Sequence, residues 1–352
     1  MRLMPFLRRS APGGGPAGRP GGIGPARRSL GSLAGPAALV VLAAGLVGCA
    51  RAVRRTLILY EGVTTVLGPN QVTTRFNRPF IEANRNRIVL ETGFLVDVVS
   101  RMINPAAFDG DLHVAGRSSN IGLRLVAEIK NASGQKEAVS LLRAAEGTDR
   151  PVRVVGVWRY WPEHAIGLPH RQGEPAAPLT NANPDHVFEL HPVIRVEGLD
   201  LSSSLVPVEG FRPGSPPATI ASYREARVTI RVEGSRVFVE SPAGLANDLH
   251  FWMELHDDAR ETPDGRFVTG RVRDREGALL VDSIRMVFVR GTPPDEIGRG
   301  LRPGTVRRVW GLPRISFEGL YRVIQDIGAD TMPRTIPLPY ELIILGFYDE
   351  SQ

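Results

Sequence analysis

A single cysteine, Cys49, stands in 352 residues. That excludes an internal disulfide, a zinc site built on thiolates and a CxxC redox pair. Lysine is almost missing as well, with only Lys130 and Lys136, so arginine carries the positive charge. There is no P-loop, no G-x-G-x-x-G after a strand, no G-x-S-x-G elbow and no EF-hand loop. Their absence removes the nucleotide-cradling, serine-elbow and calcium-loop classes. Acidic residues are absent from the first 48 positions, which hold six arginines: Arg2, Arg8, Arg9, Arg19, Arg27 and Arg28. Removing those six from the 43 basic residues leaves 37, equal to the 37 acidic ones, so the +6 formal charge belongs to the leader and residues 49–352 are neutral. A neutral body argues against nucleic acid as a partner, because nonspecific binding needs clustered cations that displace counterions.

What is present begins with an apolar stretch, residues 33–47, preceded by Arg27 and Arg28. It is shorter than the roughly 20 residues that span a bilayer and suits the core of a signal peptide. It ends in Leu46-Val47-Gly48-Cys49, which resembles the bacterial lipobox. That resemblance implies diacylglyceryl transfer to the Cys49 thiol, cleavage before it, and a membrane as partner through lipid. Ala50 follows, which in a Gram-negative host goes with the periplasmic side of the outer membrane. Residues 1–26, rich in Gly, Pro and Arg, read as a disordered extension.

The body reads as mainly β with two β-barrel-like domains. Arg87–Val99, Asp111–Gly116, Leu123–Ile129, Val152–Trp161 and His186–Val196 have strand composition, bounded by Gly, Pro or Asn. Ala138, Leu141, Leu142 and Ala145 predict a helix over Lys136–Ala145. Three strands, a helix and two strands is the order of an OB-type barrel. The second half echoes the end of the first. Val152-Arg-Val-Val-Gly-Val-Trp-Arg159 returns as Val306-Arg-Arg-Val-Trp-Gly-Leu-Pro-Arg314, and Phe188-Glu189-Leu190 as Tyr340-Glu341-Leu342. A short helical run at Asp295–Leu301 precedes that echo, and the second domain reads as a diverged repeat. The expected boundaries are 1–48 for the signal peptide with its extension, 49–86 for a tether and lead-in, 87–198 for the OB-like domain, 199–222 for a Ser/Pro/Gly-rich linker and 223–352 for the second β-rich domain. Gly167–Pro184 reads as a long surface loop.

The strands Asp109-Gly110-Asp111-Leu112-His113 and Glu189-Leu190-His191-Pro192-Val193 resemble an uncharacterised family of exported bacterial proteins. These pair a DGDxH strand with a late (E/I)xHPV strand. The resemblance covers residues 87–198 and implies an OB-like fold and export, with no activity attached. Asp109-Gly110-Asp111 also resembles the thermonuclease-like OB enzymes, but His113 and the lack of matching arginines depart from their pattern.

Strand alternation places Asp111 with His113 on one face and Glu189 with His191 on another, with His186 turned the opposite way. Glu128 lies opposite Leu125 and Ala127. Closure into a barrel would bring Asp111, His113, Glu128, Glu189 and His191 together. Two imidazoles with carboxylates suit a divalent metal such as Zn²⁺ or a general acid–base pair, and equally a polar network satisfied by itself. Trp158, Tyr160 and Trp161 are divided between two faces, and His250 and His256 share one face with nothing gathered around them. The function expected from these readings is a lipid-anchored cell-envelope binding or scaffolding module, for an envelope protein or small ligand. No cofactor is required by that reading, and it leans away from an enzyme. The alternative is a metal-dependent envelope hydrolase using Asp111/His113 and Glu189/His191.

Overall fold

Apolar residues at every second position drive this chain into strands. The computed structural model describes residues 63–68, 70–118, 121, 123–164, 170–172 (backbone only), 178–256, 259–328 and 332–349. Leu46, Val47, Gly48 and Cys49 lie outside the described residues. The first hairpin is β1 (Thr64–Leu67) with β2 (Gln71–Asn77); in β2, Val72, Thr74 and Phe76 are buried and their neighbours are not. Helix α1 (Arg78–Asn84) follows, with Pro79 in its first turn, where a missing N–H is tolerated, and it buries Phe80 and Ile81.

The first barrel consists of β3 (Val89–Val99), β4 (Leu112–Ser118), β5 (Arg124–Ile129), β6 (Val152–Tyr160) and, after the short β7 (His170–Gln172), β8 (Phe188–Val196). Its strands neighbour one another in the order β5-β4-β3-β6-β8, and β8 runs parallel to β5 to close the ring. Helix α2 (Lys136–Ala145) sits between the third and fourth strands and buries Ala138, Val139, Leu142 and Ala145. This is the OB-type order expected from the sequence.

Between the barrels come β9 (Leu199–Asp200), α3 (Pro216–Glu225), β10 (Arg227–Glu233) and β11 (Arg236–Pro242). The second barrel follows with β12 (Leu249–Leu255), β13 (Arg260–Thr262), β14 (Gly265–Arg273), β15 (Leu279–Val289), α4 (Pro293–Arg299), β16 (Val306–Ile315), α5 (Phe317–Ile327), β17 (Arg334–Pro337) and β18 (Tyr340–Phe347). Strands β12, β14, β15, β16 and β18 close in the same topology, again with the third and fifth strands parallel and a helix between the third and fourth. The chain therefore carries two closed five-stranded barrels of one design.

The described residues from Val63 to Asp349, with both barrels and the segment between them, group into one compact unit. A third sheet, ordered β17-β10-β11-β2-β1-β7, draws strands from the lead-in, the segment after the first barrel, the second barrel's last connection and the Gly167–Pro184 tract. The stretch expected as a free linker is likewise built in, since Leu205 and Val208 are buried between the barrels and Pro216–Glu225 forms a helix. Its Ser and Pro residues form a short 3-10 turn at Ser202–Ser204 and start the helix at Pro216. Among the described residues, no helix is long and apolar enough to cross a membrane.

The barrels pack outer face to outer face. Val155, Val157 and Ile194 of the first join Val287, Trp310, Leu312, Ile343 and Leu345 of the second in one buried cluster. At the edge of this seam the repeated motif becomes a reciprocal clasp. Arg159 binds Glu189 of its own barrel and donates from Nε to the Pro313 carbonyl of the other at 2.8 Å. Arg314 binds Glu341 of its own barrel at 2.7 Å and donates from Nη1 to the Trp158 carbonyl at 2.7 Å. The remaining guanidinium nitrogens reach Asn247 and the Arg87 carbonyl, each two residues before a barrel's first strand. Gly156 and Gly311 stand at register shifts in β6 and β16, where neighbouring chain crowds the place of a side chain. A Cβ on Gly156 would lie 2.8 Å from Leu190 Cβ, and one on Gly311 would lie 3.2 Å from the Ile343 carbonyl oxygen.

Breaking the clasp from one side leaves a buried charge. Arg314→Ala is expected to destabilise the protein by about 3 kcal/mol, as for other one-sided losses from buried ion pairs. Arg314→Ala with Glu341→Leu should recover part of that. The midpoint of urea unfolding measures both, and a single variant within about 0.5 kcal/mol of wild type would show that the clasp does not hold the seam.

Candidate metal centre

The five residues singled out from the sequence come together on the outer face of the first barrel. Residues just before and within β4 place Asp111 and His113, β5 places Glu128, and β8 places Glu189 and His191. The pairing of His113 with Glu128 across β4–β5, and of Val126 with Glu189 across β5–β8, sets their heights on the sheet. His191 sits at the centre. Its Nδ1 is 3.1 Å from Glu128 Oε2 and 3.4 Å from Glu189 Oε2, and its Nε2 is 3.3 Å from Asp111 Oδ2. None of these contacts has hydrogen-bond geometry, and among the described residues Asp111 Oδ1 and Glu128 Oε1 also have no hydrogen-bond partner. His113 stands at the rim, 3.7 Å from Glu128 Oε2. Asp111, Glu128, Glu189 and His191 are each no more than 2% exposed.

Other groups complete the cluster. Lys130 Nζ lies 2.8 Å from Asp111 Oδ2 and 4.1 Å from the centre of the Trp310 ring, which belongs to the second barrel. Trp310 Nε1 donates to Asp248 Oδ1 at 2.7 Å. His186 corrects the reading from alternation. It precedes β8, so strand alternation does not govern it, and its ring turns in toward Glu189. Its Nδ1 donates to the Pro184 carbonyl at 2.6 Å, and its Nε2 lies 3.1 Å from Glu189 Oε1. His164 stacks on it with ring centres 4.9 Å apart. Trp158, Tyr160 and Trp161, expected on two faces, are all buried.

Two sets of side chains have ligand atoms within 4.8 Å of one another: Asp111, Glu128 and His191, and Glu128, His164, His186 and Glu189. Either could hold a metal ion. The electrostatics differ across the cluster. Burial works against a charged His191, but Glu128, Asp111 and Glu189 together raise its pKa to about 10. Burial would also raise Glu189, yet Arg159, His186 and His191 hold it well below the usual carboxylate range. Burial pushes Glu163 well above that range, and raises Asp248 too. Burial, with His186 beside it, lowers His164 to about 3, so its imidazole is neutral.

The second barrel shows that the fold does not need these charges. The registers align Asp111 with Gly265, His113 with Phe267, Glu128 with Val287, Lys130 with Val289 and His191 with Ile343. Phe267, Val287, Val289 and Ile343 are buried in the seam. The same positions thus carry ionisable groups in one barrel and apolar ones in the other. Burying those groups costs free energy that Val and Ile do not.

Among the described residues, cavities lie beside this cluster and on the second barrel. One of about 250 Å³ is lined by Arg124, Val126, Leu179, Pro184, Asp185 and His186, and so reaches the cluster from the side. A larger groove of about 860 Å³ runs along the second barrel past His250, Trp252, Arg275, Arg307, Arg308 and Tyr348. His250, left without company by the sequence, belongs to that groove.

Copying the second barrel's residues onto the first tests what the cluster is for. The variant Asp111→Gly, His113→Phe, Glu128→Val, Lys130→Val, His191→Ile is expected to fold at least as stably as wild type, while Lys130→Ala alone loses about 3 kcal/mol by stranding Asp111. Urea midpoints decide it, and a fivefold variant less stable than Lys130→Ala would make the cluster a stabilising element. Neither a protein-family model nor a curated protein matches this chain.

Proposed function

We propose that the protein is exported, lipid-anchored through Cys49, and acts in the cell envelope as a binding or scaffolding module rather than as an enzyme. The observation that carries this reading is the burial of Asp111, Glu128, Glu189 and His191 at 2% exposure or less under the second barrel. A hydrolase built on Asp111/His113 and Glu189/His191 needs room for a substrate beside those groups; the seam side is packed, and the cavity of about 250 Å³ is lined by His186 and by none of those four residues. A divalent cation among them would brace strands instead of polarising a substrate. The leader supports export: paired arginines, an apolar core, then Leu46-Val47-Gly48-Cys49. The resemblance of residues 87–198 to exported bacterial proteins with DGDxH and (E/I)xHPV strands points the same way. In a Gram-negative host, Ala50 after the lipidated cysteine favours the periplasmic face of the outer membrane.

In this reading the partner, an envelope protein or small ligand, meets the groove of the second barrel. Aromatic faces and arginines line it together with Asp274 and Glu276, a mixed surface suited to polar partners. The neutral body argues against nucleic acid.

Lipid anchoring has a direct test. The wild-type protein expressed in a bacterial host should fractionate with membranes and incorporate a labelled fatty acid. Cys49→Ala should do neither and should appear in the soluble exported fraction. Retention of Cys49→Ala in membranes would remove lipidation from the account.

A further inference from the structure

We propose that Glu128, His164, His186 and Glu189 form a binding site for one first-row divalent cation of the Zn²⁺ class. His164 and His186 were not among the five residues that sequence pattern brought together, and this site does not depend on lipid anchoring. Ligand atoms of all four residues lie within 4.8 Å of one another. Zinc bonds of about 2.0–2.2 Å place any two ligand atoms within about 4.4 Å, so small side-chain rotations suffice to close the set.

The hydrogen bonding of His186 is the strongest sign. The Pro184 carbonyl only accepts, so Nδ1 is the donor at 2.6 Å, and Nε2 is left facing the Glu189 carboxylate at 3.1 Å. That contact calls for either a second proton on the ring or a cation between Nε2 and Oε1. An imidazole that gives its other N–H to a backbone carbonyl is also the usual posture of a metal-bound histidine. Glu128 is 2% exposed and its Oε1 has no hydrogen-bond partner among the described residues.

The neighbouring set, Asp111, Glu128 and His191, is the weaker candidate. Lys130 Nζ already lies 2.8 Å from Asp111 Oδ2, so an ammonium holds the cation position there. The preferred set is also the one with access. His164 keeps 28% of its side chain exposed, and the cavity of about 250 Å³ opens onto His186. Two imidazoles with two carboxylates suit Zn²⁺, Fe²⁺ or Mn²⁺ better than Ca²⁺ or Mg²⁺, which favour oxygen alone. The ion would tie the end of the first barrel's fourth strand to its third and fifth strands.

The test is calorimetric titration of Zn²⁺ into the purified, tag-free full chain after chelator treatment, with Co²⁺ as a spectroscopic substitute. One equivalent of Zn²⁺ should bind, and Co²⁺ should give ligand-field bands. His164→Ala and His186→Ala should each weaken binding by about tenfold or more. Asp111→Asn should leave binding within about threefold. His164→Ala is decisive because the side chain is partly exposed, and circular dichroism checks that the variant is folded. The proposal is overturned by a folded wild-type protein that takes up no Zn²⁺, or by binding that survives both histidine variants. Binding lost in Asp111→Asn but kept in His164→Ala overturns it too, by moving the ion to the neighbouring set.

Discussion

Arg159 and Arg314 each hold a glutamate of their own barrel and a carbonyl of the other, and the docking of the two barrels rests on that exchange. A guanidinium is suited to the task because its donors fan out in one plane and can serve several acceptors at once. Each arginine is almost fully buried, so every lost partner leaves a group without water to replace it. The exchange works only if both fourth strands end at the same height and expose the carbonyl just before the arginine. Identical topology in the two halves provides that, and Gly156 and Gly311 let the fourth and fifth strands shift register where a side chain would be crowded. The third sheet then ties the lead-in, the inter-barrel segment and β17 into one body around the docked pair.

The seam also works as an internal control. Apolar residues fill it on the second barrel's side at Phe267, Val287, Val289 and Ile343. On the first barrel's side the matching positions are His113, Glu128, Lys130 and His191. One architecture therefore supports both compositions, and the polar one is not what makes the barrels dock. Burying it carries a desolvation cost that the clasp and the Lys130–Asp111 pair only partly offset. The apolar version avoids that cost, and the polar one supplies groups able to hold a metal ion.

Much of this was legible in the sequence, for definite reasons. The OB-type order followed from strand composition and one amphipathic helix, both local properties. Gly156 with Gly311, Arg159 with Arg314 and Glu189 with Glu341 stood out because the clasp demands the same residues twice. Asp111, His113, Glu128, Glu189 and His191 could be grouped because alternation governs side chains within strands. His186 escaped that logic because it lies before β8, and His164 because it lies beyond β6, where no periodic rule sets direction. The third sheet was hidden for another reason. Its strands come from segments far apart in the chain, paired by nonlocal register such as Phe76 opposite Val237, so a short strand like β1 or β17 carries no local sign of its partner. Helix α5 did carry a sign. Phe317, Leu320, Ile324 and Ile327 are buried at helical spacing behind the Ser316 cap, whose hydroxyl accepts from the Gly319 N–H.

Glu189 connects the two halves of the account. One of its carboxylate oxygens is held by Arg159, whose Nε reaches across the seam to Pro313, and the other faces His186. A cation bound by Glu128, His164, His186 and Glu189 would therefore share a carboxylate with the clasp. Whatever binds the folded state and not the unfolded one stabilises it, in proportion to the logarithm of ligand concentration over its dissociation constant. Because the shared carboxylate is also a seam contact, that stabilisation would fall on barrel docking as well as on the first barrel. Conversely, opening the seam would free Arg159, loosen Glu189 and weaken the cation's hold. Among the described residues the second barrel offers no counterpart to that proposed coupling, since Glu341 receives Arg314, Arg285 and Ser316 and the residue at the His191 position is Ile343. The asymmetry would confine the proposed metal coupling to the first barrel, where the position matching Ile343 is His191.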